Sequence, residues 1–252
     1  MTKKTNTLYL IFILMVSLVA IIMVSRGMQK REVVFVVEPG FPPFIYMENE
    51  EIKGFDLAVL EEILKGSNVV LKKKVMSWDQ ALKEVASGAA DLISGLDKTD
   101  ERLELYLYAD LPYVKDETKV FVKKGSLVSG IDDLQGKRIA VQRSSSYHKL
   151  LEAQQKYQLV LYDLDIEVLR ALDKGTVDAA VGQISVVLYL IKRLQMQDIR
   201  PVGEPIMINK MYFAVNKNDK KLMEIINQGM QRVFADGTYD RLYDESFEKH
   251  PI

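Results

Sequence analysis

Thr99-Asp100-Glu101-Arg102 follows a short strand, Asp91–Ser94, through Gly95-Leu96-Asp97-Lys98. Thr99 is a natural helix cap, which puts Arg102 in the first helical turn. A cation there runs against the helix dipole, and that oddity suggests a task. Its guanidinium fork matches a ligand carboxylate with two parallel bonds. It equally suits a surface arginine paired with Glu101 or Glu104. Phe41, Phe44 and Trp78 fall on loops after strands rather than in periodic stripes. Phe44 suits core filling, whereas Phe41 and Trp78 suit the wall of a pocket. Gln142-Arg143-Ser144-Ser145-Ser146 follows another strand and opens a helix, so it forms either an anion cradle or a plain capping turn.

The usual catalytic signatures are missing: there is no GxSxG, Walker loop, GxGxxG or HExxH. Zero cysteines remove thiol nucleophiles, disulfides, thiolate zinc and iron–sulfur sites together, along with the cysteine a lipoprotein anchor needs. His148 and His250 are the only histidines, so a site of several imidazoles is excluded. His148, with no acid partner nearby in sequence, is expected on a solvated helix face. Acid pairs such as Glu61-Glu62 and Asp132-Asp133 read as solvated faces. The pattern is one of recognition, with no catalytic residue, metal or cofactor expected.

Strand and helix alternate around these residues. Val33–Val37 is a continuous β-branched run, as in a strand buried on both faces. Glu38-Pro-Gly-Phe-Pro-Pro-Phe44 reads as a loop at its carboxyl end. Asp56 can cap a helix carrying Leu57, Leu60, Ile63 and Leu64, and Gly66 stops it. Val69–Val75 is a second strand, and Asp79 caps a helix that ends at Gly88. The spacing Leu82, Val85, Gly88, Asp91 recurs as Leu169, Leu172, Gly175, Asp178, offset by 87 residues throughout. With strands at Arg138–Val141 and Gln158–Tyr162, this predicts an α/β protein of two similar lobes with mostly parallel sheets. Ligands of such sheets sit off the strands' carboxyl ends. Met211–Val215 reads as a strand and Leu222–Phe234 and Tyr239–Phe247 as helices that complete the first lobe. The expected division is 32–113 with 210–252 as lobe 1 and 114–209 as lobe 2, with crossings near Pro112–Lys115 and Met207–Met211.

Leu8–Val24 is an apolar run of 17 residues behind Lys3 and Lys4. Residues 1–31 therefore read as a signal peptide or membrane anchor, placing the remainder outside the cytoplasm. Residues 1–31 hold five basic residues and no acid, so 32–252 carry 29 basic against 35 acidic residues. That balance suits no nucleic-acid partner.

Glu38-Pro-Gly-Phe-Pro-Pro-Phe44, Gly54-Phe55-Asp56, the SGxxxTDER run at 94–102, Asp133-Leu-x-Gly-Lys-x-x-x-Val141-Gln142, Gly175-x-Val-Asp178-Ala and Ala235-Asp-Gly-Thr-Tyr239-Asp stand in an order that resembles the extracytoplasmic solute-binding proteins of family 3. These are the polar amino-acid receptors of ABC importers, and the likeness spans roughly 32–248. It implies a type II periplasmic-binding fold, two α/β lobes with two hinge strands, closing on a small ligand that is then delivered to an ABC permease. It also implies that Arg102 holds the ligand carboxylate, that Phe41 and Trp78 flank the side chain, and that Gly95 and Ser144, Ser145 and Ser146 complete the carboxylate site. The family's threonine is Asp97 here, its ammonium-binding acid is Gln183, and its basic residue in the second lobe's anion loop is Gln142. Glu38 or Asp97 would then supply the missing negative charge, or the ligand is no ordinary α-amino acid. On this expectation Arg102→Ala abolishes ligand response and leaves the unliganded melting temperature nearly unchanged.

Two other functions share the fold. One is a ligand-sensing regulatory domain acting with a partner chain, since only seven residues precede the apolar run and leave no output domain. The other is a cyclohexadienyl dehydratase-like enzyme, in which Asp97 or Glu38 would expel water.

Overall fold

The computed structural model describes residues 15–16 and 30–247. The apolar run read as a signal or anchor lies outside the described residues, apart from the exposed helical pair Met15 and Val16.

Strand β1 (Arg31–Val37) buries Val33, Phe35, Val36 and Val37 because it has a parallel neighbour on each side. Those neighbours are β5 (Val69–Val75) and β6 (Leu92–Leu96). The edge strand β5 carries Lys72, Lys73 and Lys74 outward, paired with Glu32, Glu61 and Glu84, and such charges discourage edge-to-edge pairing. The Pro-rich segment after β1 is more ordered than a loop. Gly40–Phe41 (β2) pairs with β3 (Ile45–Glu48), which pairs with β4 (Glu51–Lys53), a small antiparallel sheet over the strand ends. Helix α1 (Phe55–Leu64) starts from Gly54, where a Cβ would lie 2.3 Å from the Phe44 carbonyl oxygen. Gly54, and not Asp56, is the cap. Ser77, and not Asp79, likewise occupies the cap of helix α2 (Trp78–Ser87).

A second parallel trio runs β10 (Gln158–Tyr162), β9 (Arg138–Gln142), β11 (Ala179–Gln183), matching β5, β1, β6 in order. The 87-residue repeat is physical. Helix α5 (Asp165–Asp173) and β11 begin 87 residues after α2 and β6. In both copies the turn's aspartate grips the neighbouring strand. Asp91 N–H donates to the Val34 carbonyl at 3.0 Å, and Val34 N–H donates to Asp91 Oδ2 at 2.7 Å. Asp178 N–H donates to the Arg138 carbonyl at 2.9 Å, and Arg138 N–H returns a 2.9 Å bond to Asp178 Oδ2. Gly88 and Gly175, both at positive φ, let the chain turn into that grip.

Two antiparallel strands join the trios into one nine-stranded sheet. They are β8 (Val114–Lys123) and β12 (Ile199–Asn216), which pair from Ile199 with Lys123 to Met211 with Val114. The strand expected at Met211–Val215 is thus the end of an 18-residue strand. At about 3.3 Å per residue it reaches from one half to the other. The alternation along Val114–Lys123, buried at Val114, Asp116, Thr118 and Val120, carries the period of two that marks a strand. Between them come α3 (Asp100–Leu103), β7 (Tyr106–Tyr108), α4 (Ser146–Gln154) and α6 (Ile184–Arg193). The closing helices α7 (Lys220–Ala235) and α8 (Thr238–Phe247) return to the first half. Gly229 of α7 meets the Ile63 carbonyl of α1, while Tyr239, Tyr243 and Phe247 of α8 surround Phe55.

If the aspartate grip holds each copy of the repeat, Asp91→Ala and Asp178→Ala should each lower unfolding free energy by about 1–2 kcal/mol in urea titrations. Unchanged midpoints in both would remove that role.

Candidate functional site

The carboxyl ends of β1, β6, β9 and β11 converge on one cavity, lined by Val37 and Glu38, Ser94, Gly95 and Asp97, Gln142, and Gln183 respectively. Phe41 and Ile45 of the small sheet, Asp56 of α1, Trp78 and Ala81 of α2, Arg102 of α3, and Ser145, Ser146 and Tyr147 at the start of α4 close it. Of the residues singled out from sequence, Ser144 alone is missing from this wall. The cavity is small, about 40 Å³. That admits a water or two, so a ligand of amino-acid size needs the walls to part.

Arg102 is set by the local chain. Thr99 Oγ1 accepts the Arg102 N–H at 3.3 Å, and the side chain runs inward to 7% exposure. It reaches neither Glu101 nor Glu104. Its Nη1 pairs with the Asp97 carboxylate and donates to the Asp97 carbonyl at 3.3 Å, while Nη2 donates to the Ser144 carbonyl at 2.9 Å. The other Asp97 oxygen accepts from Asn209 Nδ2 at 3.0 Å. Asn209, on β12, also donates to Ser146 Oγ at 3.3 Å and accepts from Thr118 Oγ1 at 2.5 Å. Both halves and both joining strands therefore meet in one buried polar network. Sequence analysis placed crossings close to both strands but did not single out Asn209 or Thr118, because which residues of two crossing strands meet depends on their register.

The groups expected around a ligand carboxylate already have partners. Gly95 N–H donates to the Tyr113 hydroxyl at 2.8 Å, and Ser144 N–H donates to His148 Nδ1 at 3.1 Å. Ser144 Oγ donates to Asp79 Oδ1 at 2.8 Å, across the two halves. Ser145 Oγ donates to the Gln142 carbonyl at 2.8 Å and caps α4 by accepting His148 N–H at 3.1 Å. His148 is buried, not solvated. It sits at the first turn of α4 with Nε2 3.8 Å from Glu152, and burial lowers its pKa. Phe41 stacks on the core residue Phe44 at 5.1 Å, and Trp78 lies with its ring 5.9 Å from the Arg102 guanidinium carbon.

Sequence analysis singled out the carboxyls of Glu38 and Asp97 but missed the burial of Asp56 and Asp165. Asp56 was taken for a cap, yet its side chain is fully buried. The Ser94 and Tyr113 hydroxyls lie near, but no hydrogen bond closes on either Asp56 oxygen, and burial pushes its pKa up to about 6. Glu38 accepts from Gly40 N–H at 2.7 Å and from Gln142 Nε2 at 3.4 Å. Burial, with Asp165 beside it, raises the Glu38 pKa to about 8. Asp165 opens α5 near the Tyr147 hydroxyl, and burial raises it to about 7. The repeat could have found it, because Asp165 stands 87 residues after Trp78 and occupies the same helix start. Among the described residues no cluster of His, Asp and Glu could hold a metal ion.

Two outcomes follow. Arg102→Ala strands the buried Asp97 carboxylate, so it should cost about 3–5 kcal/mol in chemical denaturation even without ligand. This corrects the expectation of an unchanged melting temperature. The raised carboxyls bind protons more tightly folded than unfolded. Their stabilising effect is complete below pH 4, near the ordinary carboxylate values, and is lost as pH climbs through about 6 to 8. His148 opposes this only below its ordinary value of 6.5. The melting temperature should therefore fall between about pH 5 and about pH 8 and level off above that, and Glu38→Gln should flatten the upper part of the fall. A flat wild-type profile would contradict the burial assigned to Glu38.

Residues 33–249 match the family model for bacterial extracellular solute-binding proteins, family 3. The chain is 30% identical over 214 residues to the "Probable amino-acid-binding protein YxeM" of Bacillus subtilis (strain 168), covering 82% of this chain and 80% of that one. It is 27% identical over 224 residues to "ABC transporter arginine-binding protein 1" of Escherichia coli (strain K12), covering 84% and 89%. Among solved structures, an ancestral arginine-binding protein bound to arginine superposes with a TM-score of 0.81 at 28% identity, covering 87% of this chain and 99% of that one. The two parallel trios, the pair of joining strands and the cavity at the strand ends accompany a match across nearly the whole described chain, and the protein belongs to the bacterial extracellular solute-binding proteins of family 3.

Proposed function

We propose that this chain is an extracytoplasmic receptor that closes on a small metabolite of amino-acid size and presents it to an ABC importer. The observation that carries the reading is the cavity itself, walled by strand ends of both halves and bridged by Arg102 to Ser144, Ser144 to Asp79 and Gln142 to Glu38. The halves, 32–113 with 210–252 and 114–209, act as lobes that part by bending β8 and β12. Ligand contacts made to both lobes at once favour the closed state, and a permease that distinguishes closed from open reads occupancy. The names of the relatives support the amino-acid class and the importer. That its relatives are named as binding proteins supports binding of the ligand without its transformation. The export expected from residues 1–31 fits this role.

Binding to the folded state alone stabilises by RT ln(1 + [L]/Kd), about 2.7 kcal/mol at about 100 times Kd. A panel of amino acids, amines and organic acids should therefore contain a compound that raises the melting temperature of the full-length protein by about 5–10 °C. A panel in which nothing moves the transition would refute the receptor.

A further inference from the structure

Donors and acceptors around the cavity are unevenly matched. The donors a carboxylate would need are engaged: Arg102 by Asp97 and the Ser144 carbonyl, the Gly95 N–H by Tyr113, the Ser144 N–H by His148. The acceptors are less fully met. The carbonyl oxygen of Gln183 is buried without a hydrogen-bond donor, and the fully buried Asp56 carboxyl has only the Ser94 and Tyr113 hydroxyls near it. Both side chains line the cavity, as does Glu38, so its wall carries three carboxyls, Glu38, Asp56 and Asp97, against the one guanidinium of Arg102. Buried acceptors without donors are unfavourable, and a guest bringing N–H groups and positive charge relieves them.

An anionic guest meets the reverse. To greet a carboxylate, Arg102 would have to leave Asp97, whose own carboxylate would then stand buried beside a second negative charge. Asn209 can compensate Asp97 with a neutral amide only. The apolar side of the cavity, with Phe41 and Trp78, suits a hydrocarbon or aromatic body and adds ring faces that attract cations.

We infer that, within the receptor role proposed above, the preferred ligand is a small organic amine that carries positive charge and no free carboxylate. Its N–H groups face Asp56, Glu38 and Gln183, and its carbon skeleton lies against Phe41 and Trp78. The Asp97–Arg102 pair excludes the α-carboxylate of the parent amino acids.

Matched pairs differing only by that carboxylate test this: arginine and agmatine, lysine and cadaverine, histidine and histamine, phenylalanine and phenethylamine. Each is titrated calorimetrically into the full-length wild-type protein, with melting temperature as a second readout. The tightest ligand should be an amine, binding at least about tenfold tighter than its parent. An amino acid as the tightest ligand, or one within tenfold of its amine, overturns the inference and leaves the receptor standing. Silence from both members of every pair overturns the receptor as well. Asp97→Asn keeps the shape and frees the guanidinium, so it should reverse the order within the responding pair. An unreversed order in a variant that melts cooperatively counts against the pair as the selector, while the wild-type comparison stands whether or not the variant folds.

Discussion

The ion pair between Asp97 and Arg102 joins the parts of this molecule that must work together. Asp97 follows the carboxyl end of β6, Arg102 sits in the first turn of α3, and between them they reach Ser144 in the second half and Asn209 on a joining strand. A pair buried this deeply is favourable only when its remaining bonding capacity is used. Here the Asp97 and Ser144 carbonyls and the Asn209 amide use it. The site is thus internally neutralised where a carboxylate clamp would otherwise lie open.

That neutralisation sets the character of everything else facing the cavity. Glu38 and Asp56 line it and Asp165 stands behind, each with a pKa raised by burial. Glu38 and Asp165 also repel each other, a tension that protonation eases. In the proposed receptor, closing the two halves over such a wall without ligand is less favourable than closing them over a complementary guest. This links recognition to conformation without any additional device.

The scaffold that holds these groups is one unit used twice. Asp91 and Asp178 each exchange two main-chain and side-chain bonds with the neighbouring strand, and each follows a glycine that turns the chain out of a helix. The duplication places the ends of β6 and β11 at corresponding positions in the two halves. Gly95 with Asp97 and Gln183 thereby arrive at one cavity from opposite sides. The long strand β12 then lets α7 and α8 return to the first half.

By itself the sequence determined what depends on neighbours along the chain. Apolar runs, glycine stops and the repeated Leu-x-x-Val/Leu-x-x-Gly-x-x-Asp spacing placed both parallel trios, because strand period and helix termination are local physics. Residue type likewise placed Thr99 as a cap and Arg102 in the first turn behind it. Tertiary structure alone decided which charges meet. Asp56 read as a helix cap and His148 as a solvent-facing residue, and both are buried, because the surfaces that cover them come from distant segments. The cap bond at Thr99 could be read in order along the chain. The partner of Arg102 could not: Asp97 is five residues away, farther than the rejected Glu101 and Glu104, and only the packing of α3 against β6 and the second half selects it. A side chain's hydrogen-bond partner is fixed by direction and burial in space, and residue spacing carries neither.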